Sequence, residues 1–217
     1  PVALALPPGR GAALVRDAGA LVDELRNAIP AAFDTDTYRN RRRVIEREVE
    51  SKSEAALTGL QNEAQERGLA LLRTPMGFAL APVRDGEVLP PDQFQQLPEA
   101  ERKRIQGEVA ALEEQLQETL RQLPRWQKEA RERLEALDRE VTGLAIDHGV
   151  EDLRRRWLEV DGVRRWIDGL RDDLVAHAHE LVRPKDGEET RVLRRLTGDE
   201  DPWSARYRVN LLVDRRG

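Results

Sequence analysis

Few residues in this chain are of a type that does chemistry, and their spacing argues against most of what the types suggest. Gly9 and Gly11 stand like the first two glycines of a dinucleotide-binding loop, but Leu14 occupies the third glycine position and no clear strand precedes them. The pattern G-x-x-x-x-G-K followed by Ser or Thr does not occur, so the chain has no phosphate-cradling loop of its own. The histidines are His148, His177 and His179. His177 and His179 are two apart on an expected helix and diverge by about 200°, so they cannot chelate one metal together. Ser51-Lys52-Ser53 sets two hydroxyls beside an amine, but on a charged helix face with no pocket to lower a lysine pKa or activate a hydroxyl. The many carboxylates alternate with Arg at helical spacing and read as surface ion pairs. No catalytic residue, cofactor-binding residue or metal ligand is assigned.

Three arginine clusters remain: Arg39 with Arg41-Arg42-Arg43, Arg154-Arg155-Arg156, and Arg164-Arg165. Each is interleaved with acids, whereas a phosphate-tracking surface is cleaner in sign and richer in lysine or aromatics. They read as a solvated face or as the counterpart of an acidic neighbouring subunit. The more informative surface is apolar. Met76 and Phe78, beside Pro75 and Arg73, sit on an expected hairpin too small to bury much within itself. Either they pack on the flanking helices as the hairpin's own core, or some are exposed to bind extended polypeptide or a neighbouring subunit. Trp157 and Trp166 are expected to pack as core.

The elements that must position these residues are mainly helical. Over residues 98–149, Ile105, Val109, Leu112, Leu116, Leu120, Leu123, Trp126, Ala130, Leu134, Leu137, Val141 and Leu144 recur every three or four positions. That spacing keeps one apolar seam on one side of a helix about 70 Å long. So narrow a seam needs a partner helix. Pro124 predicts a kink or a break, and the unchanged phase of the seam favours a kink. The partner is a helix from Asp34-Thr35-Asp36, good N-cap chemistry, to about Arg67. Its seam is Tyr38, Ile45, Val49, Ala56, Leu60 and Ala64, and Gly68 is placed as its C′ residue. Between the two lie short strands around Leu69 to Arg73 and Phe78 to Ala81, then a turn at Asp85-Gly86 and a helical turn through Phe94. An earlier helix buries Leu14, Ala18, Leu21, Val22, Leu25 and Ile29 and stops at Pro30.

Beyond Gly149, Val150, Leu153 and Trp157 predict one short helix, and Val163, Trp166, Ile167, Leu170, Leu174, Ala178 and Leu181 another. With the first helix they can close a compact base. Residues 206–213 alternate like a strand. The expected fold class is thus mainly α: a helical base and a long antiparallel helical (coiled-coil) arm carrying a small β-hairpin. The divisions are 1–33 for the lead-in and first base helix, 34–147 for the helix, hairpin and helix of the arm, 148–183 for the base helices, and 184–217 for a polar loop and strand.

Composition agrees with this. Charged residues make up 35% of the 217 and aromatics 4%, against an ordinary charged share of about 25%. The net charge of −5 with interspersed signs gives no global field to attract nucleic acid. With no cysteine there is no disulfide or thiol chemistry, which fits a reducing cytoplasm. No apolar run approaches 18 residues, so no membrane partner is expected. Both ends read as though cut from something larger.

The order LPPGR, a helix, IPAAFDTDTYRNRR, a charged helix, ERGLALLRTPMGFALAP, then LPPDQFQQLPEAER and a long Glu/Gln/Arg/Leu helix resembles the helical insert of Lon-like ATP-dependent proteases, the LonB/LonC-like group. The closing RYRVNLLVD is similar to the segment by which that family returns to its AAA+ core. The resemblance spans essentially the whole chain, and Leu72-Arg73-Thr74-Pro75-Met76-Gly77-Phe78 is its most specific part. It implies an insertion domain of an AAA+ module, without the P-loop or the protease domain. The parent it implies is a cytoplasmic homohexameric ring enclosing serine-lysine proteolytic sites. No cofactor is implied in this stretch. ATP and magnesium belong to parents that keep the ATPase motifs, which some relatives have lost. Pro184-Lys185-Asp186-Gly187 copies the start of the P-K-D-G-P-S stretch that holds the family's nucleophile. Glu188-Glu189 follow with no serine, so it is not an active site. Pro124 departs from the uninterrupted arm that the resemblance implies.

The leading functional expectation is a non-catalytic domain that recruits or gates unfolded protein substrates at the entrance of a proteolytic chamber. Arg73, Pro75, Met76 and Phe78 are its contact candidates. The alternative is a structural arm that organises the ring through contacts with the other subunits. Nucleic-acid binding ranks below both, and enzymatic activity of the fragment is last.

Overall fold

The computed structural model describes residues 2–75, 77–178 and 206–212. The expected fold class holds: the chain is mainly helical, with a small antiparallel sheet and one very long helix. No helix among the described residues is long and apolar enough to cross a membrane. The chain divides into two compact units, Pro1–Arg43 with Arg133–Gly217, and Val44–Glu132. The boundaries of these units, 43/44 and 132/133, fall inside the two long helices.

In the first unit α1 spans Gly11–Phe33 and buries all six expected apolar positions together with Phe33. It runs one turn past Pro30, because a proline there removes only the bond to the Arg26 carbonyl. The Asp34 amide then closes the end on the Pro30 and Ala31 carbonyls at 3.1 and 3.2 Å. α2 spans Asp36–Glu66. The Tyr38 amide donates to Thr35 Oγ1 at 3.2 Å, the N-cap bond that residues 34–36 predict.

Two further expectations for this unit are corrected. The helix expected to end at Gly149 continues as α4 over Glu99–Arg156, so Val150 and Leu153 belong to its last turns, with Trp157 in the turn that follows, and not to a separate helix. Gly149 is a contact point: a Cβ there would stand 2.7 Å from Leu21 Cδ1 of α1. Leu144 is 71% exposed, and the buried face of α4 passes instead through Leu137, Asp138, Thr142, Ile146, Val150 and Leu153, with buried Trp157 just past its end. Small residues account for the shift, since Gly149 admits α1 and Gly143 lies beside Val175. α5 spans Asp161–Ala176 and buries Val163, Ile167, Leu170 and Leu174. Ala178 is also buried, while Leu181 lies outside the described residues. Trp157 is core at 1% exposure, and Trp166 is half-buried.

Residues 206–212 form no strand, which corrects the expected alternation; residue 213 lies outside the described residues. Tyr207 is buried, and its hydroxyl and the Arg206 guanidinium donate to Asp173 of α5 at 2.7 and 2.8 Å. Leu211 lies so close to Gly11 that a Cβ on the glycine would overlap it.

In the second unit α2 and α4 run antiparallel. Glu63 accepts from Gln115 at 3.2 Å, and Arg67, four residues on, donates to Glu108 at 3.0 Å. The core is Leu60, Ala64, Leu69, Leu112 and Leu116, with Leu71, Phe78, Leu80, Ile105, Val109 and Leu120 packed against it. α4 is unbroken at Pro124, so of the expected kink or break the break does not occur. Two residues further on, Lys52 of α2 stands 4.7 Å over the Trp126 ring. Gly68 ends α2 with φ +70°, as a C′ glycine does. Its carbonyl takes the Val83 amide at 2.8 Å and starts the sheet: β1 Leu69–Thr74, β2 Gly77–Arg84 and β3 Glu87–Val88, in that order. β3 is an addition to the two expected strands. α3, Pro91–Gln95, begins on a proline, which suits a helix's first turn.

Candidate functional site

The sheet of the second unit holds the contact candidates and sorts them. β1 pairs with β2 so that Leu69 faces Pro82, Leu71 faces Leu80 and Arg73 faces Phe78. Leu69, Leu71, Phe78 and Leu80 therefore share one face, and that face lies on the helices. Of the two readings of the hairpin, packing holds for Phe78: it is half-buried and belongs to the unit's own core. Arg73 and Pro75 are exposed, and Met76 lies outside the described residues. The turn closes through Thr74 Oγ1, which donates to the Gly77 carbonyl at 3.1 Å. Gly77 has φ +126°, a conformation that a side chain rarely allows.

The backbone of the sheet is as informative as its side chains. Val83 donates to Gly68, so Gly68 and Val83 form a hydrogen-bonded pair. Such pairs alternate along an antiparallel ladder, which turns the N–H and C=O of Leu69, Leu71 and Arg73 away from β2. On the opposite side of β2 the corresponding groups belong to Phe78, Leu80 and Pro82, and the Pro82 carbonyl takes the Leu89 amide at 2.8 Å. Continuing that register would set Pro91 opposite Leu80, and Pro91 has no amide to give.

The other candidates are dispersed. Ser53 Oγ donates to the Val49 carbonyl at 2.7 Å, and Ser51 is exposed. The His148 side chain is 81% exposed. His177 Nδ1 lies 2.8 Å from the Asp173 carbonyl, and His179 and residues 184–189 are outside the described residues. Among the described residues no group of three or more His, Asp and Glu is placed to hold a metal ion. Gly9 has φ +77° and precedes α1, with Leu14 buried in the core.

The arginine clusters meet acids of the same chain. Arg39 reaches Asp34 and Asp36 at 2.6 and 2.9 Å, and Arg41 holds both oxygens of Glu140 at 2.7 Å. Arg154 bonds Glu151 and Asp168, Arg155 bonds Asp152, and Arg164 bonds Asp161. These contacts raise the Arg39, Arg41 and Arg154 pKa values, chiefly through the hydrogen bonds to Asp36, Glu140 and Asp168. The Arg41 bond also lowers the Glu140 carboxyl. Arg154, Arg155 and Arg171 line an open depression of about 780 Å³ between α4 and α5 together with Asp147, Glu151 and Asp168, so its charges largely answer one another.

Sequence reading missed one polar constellation in the first unit. The Tyr38 hydroxyl donates to the buried Asp138 carboxyl at 2.8 Å and accepts from Arg42 at 3.3 Å. Burial pushes the phenol above its ordinary value, the Arg42 hydrogen bond opposes this, and the Asp138 bond adds to it. The available signal was Asp138, an acid beside the apolar Leu137 seam position. Thr142, one turn on, has its hydroxyl buried without a hydrogen-bond partner among the described residues. Trp157 was expected as core, but not its Nε1 bond to Asp17 Oδ2 at 3.1 Å, nor the Arg10 guanidinium 4.7 Å over its ring.

No protein-family model matches the chain, and no curated protein is significantly similar to it.

Proposed function

We propose that this chain is a non-catalytic insertion domain of a Lon-like serine protease complex of the cytoplasm, one that helps recruit or gate unfolded protein substrates. The observation that carries the insertion is the contact of Leu211 with Gly11. A segment inserted into a host domain must enter and leave close together, and here the chain at the start of α1 touches the chain two hundred residues later. Tyr207 and Arg206 hold the leaving segment to Asp173, so the closeness does not depend on one leucine. The recruiting role is supported by the second unit. Its sheet presents Arg73 and Pro75 to solvent and keeps Phe78 against its own core, and an ion pair, Arg67 with Glu108, joins its two long helices. On this reading the ATPase and serine-lysine chemistry lie elsewhere in a homohexameric parent, and ATP with magnesium would act there.

The test is fluorescence anisotropy of a labelled, permanently unfolded protein titrated with the chain, with labelled duplex DNA in parallel. Saturable binding of the unfolded protein, with no binding of DNA at low salt, is the expected result. The double variant Arg73→Ser, Pro75→Ser should weaken it without loss of helical circular dichroism. Silence from both probes would sink recruitment by the isolated domain and leave the ring-organising arm as the reading. DNA binding with a steep salt dependence would sink both.

A further inference from the structure

The two sides of the small sheet are finished differently. On the β2 side, β3 covers Pro82 and Arg84, and Pro90-Pro91 then stop the ladder where the next donor would be needed. On the β1 side nothing comparable occurs among the described residues. Leu69–Thr74 carries no proline, no lysine and no bulge, and among the described residues it pairs on one side only. Leu69 is buried, Leu71 half-buried and Arg73 exposed, so the edge opens toward the turn. The outward N–H and C=O of Leu71 and of Arg73 offer four backbone groups at the spacing of a strand. A flat edge of this kind is ordinarily blunted, and leaving it open invites another strand.

We infer that the outer edge of β1 takes up an extended polypeptide segment as an added strand, with an acidic side chain of that segment beside Arg73. This deepens the recruiting reading and rests on it. Arg73 selects the occupant. Among the described residues it has no acidic partner, whereas Arg67 at the foot of the same strand is held by Glu63 and Glu108. A second copy of this chain answers it poorly. β1 carries no acid, so the antiparallel registers that match its outward groups leave Arg73 opposite Leu69, Leu71 or another Arg73. In the parallel register Arg73 meets Arg73. An extended segment with Asp or Glu at that position supplies both the backbone bonds and the missing charge. Because the backbone contributes most of the contacts, recognition would tolerate varied sequences, which suits unfolded chains.

The experiment uses the whole chain and three labelled twelve-residue peptides of alternating Thr and Val. One has a central Glu, one a central Lys, and one the central Glu with alternate amides N-methylated. The Glu peptide is expected to bind saturably. The Lys peptide should bind up to about fivefold more weakly, as a cross-strand charge pair allows. The methylated peptide should bind at least about tenfold more weakly, since it loses more than one backbone bond. Arg73→Glu should invert the Glu-over-Lys preference. Arg73→Pro should abolish binding with the fold intact, because the amide it removes faces away from β2. Equal binding of plain and methylated peptides overturns the inference. So does a chain that dimerises in sedimentation and becomes monomeric as Arg73→Pro. The unfolded protein separates the two proposals: if it binds the wild type and Arg73→Pro equally, the edge is wrong and recruitment stands, and if it binds neither, both fall.

Discussion

The two units bury apolar helix faces in different company. In the first, hydrogen bonds tie distant elements: Tyr38 to the buried Asp138 from inside the packing, and Trp157 to Asp17 and Tyr207 to Asp173 at its part-buried edge. In the second, a cluster of leucines and one alanine joins two helices and a sheet, and the polar pairs, such as Arg67 with Glu63 and Glu108, lie at its margin. A buried polar bond has a direction and a single satisfactory partner, so it fixes which helices meet and in what register. Leucine contacts stabilise strongly but specify register less, and marginal ion pairs hold little. The comparison teaches where each kind of work can be done: the first unit is built to keep its geometry, and the second keeps an unfinished strand at its surface.

The largest effect should come from emptying the two cores in turn. Trp157 is 1% exposed and Leu112 is fully buried. Trp157→Ala should cost about 3–5 kcal/mol and Leu112→Ala about 2–5 kcal/mol in urea unfolding followed by circular dichroism. Native-state hydrogen exchange gives the sharper contrast. Trp157→Ala should speed exchange most in α1 and α5, and Leu112→Ala most around residues 60–72. Equal acceleration everywhere from either variant would break the comparison, since it would mean one cooperative core.

Most of this contrast was only half legible in the sequence. The six apolar positions of α1, the seam from Ile105 to Ala130, and the Gly68 and Thr35 ends could be read because they follow from helix period and backbone chemistry. At Leu144 the reading failed because a helix with neighbours on two sides buries Thr142, Gly143 and Gly149, residues that carry no apolar signal. At residues 206–212 alternation of type reads as a strand, but among the described residues no strand pairs with them, and Tyr207 bonds Asp173. The hairpin and its turn could be read from Thr74-Pro75 and Gly77. Which side of the sheet stays open could not, because it depends on register. The Tyr38–Asp138 bond joins residues a hundred positions apart, and no local pattern announces it.

That bond gives the next effect. Tyr38→Phe leaves the packing nearly unchanged but strips the buried Asp138 carboxyl of its donor, which should cost about 1–3 kcal/mol. The phenol's pKa is raised in the fold from an ordinary 10.0, so folding favours the neutral form. Its contribution is therefore complete below about pH 10 and is lost as pH rises through the folded value. Urea midpoints measured from pH 7 to 11 should converge for wild type and Tyr38→Phe at the alkaline end. A constant gap would show that the hydroxyl does not carry the difference.

The smallest effect belongs to the surface pair of the same unit, and its sign is opposite. Arg41 grips both Glu140 oxygens, yet the two side chains are 48% and 49% exposed, so water and salt compete for the contact. The arginine lowers the Glu140 pKa, so folding favours the carboxylate. Its contribution is present above the carboxyl's ordinary value and fades as pH falls through the lowered one. Glu140→Gln should therefore shift the urea midpoint slightly at pH 7, less in 1 M salt, and progressively less as pH falls below the carboxyl's ordinary range. A salt-independent shift larger than that of Tyr38→Phe would reverse the ranking of buried over exposed polar bonds, and with it the reason for setting the first unit apart from the second.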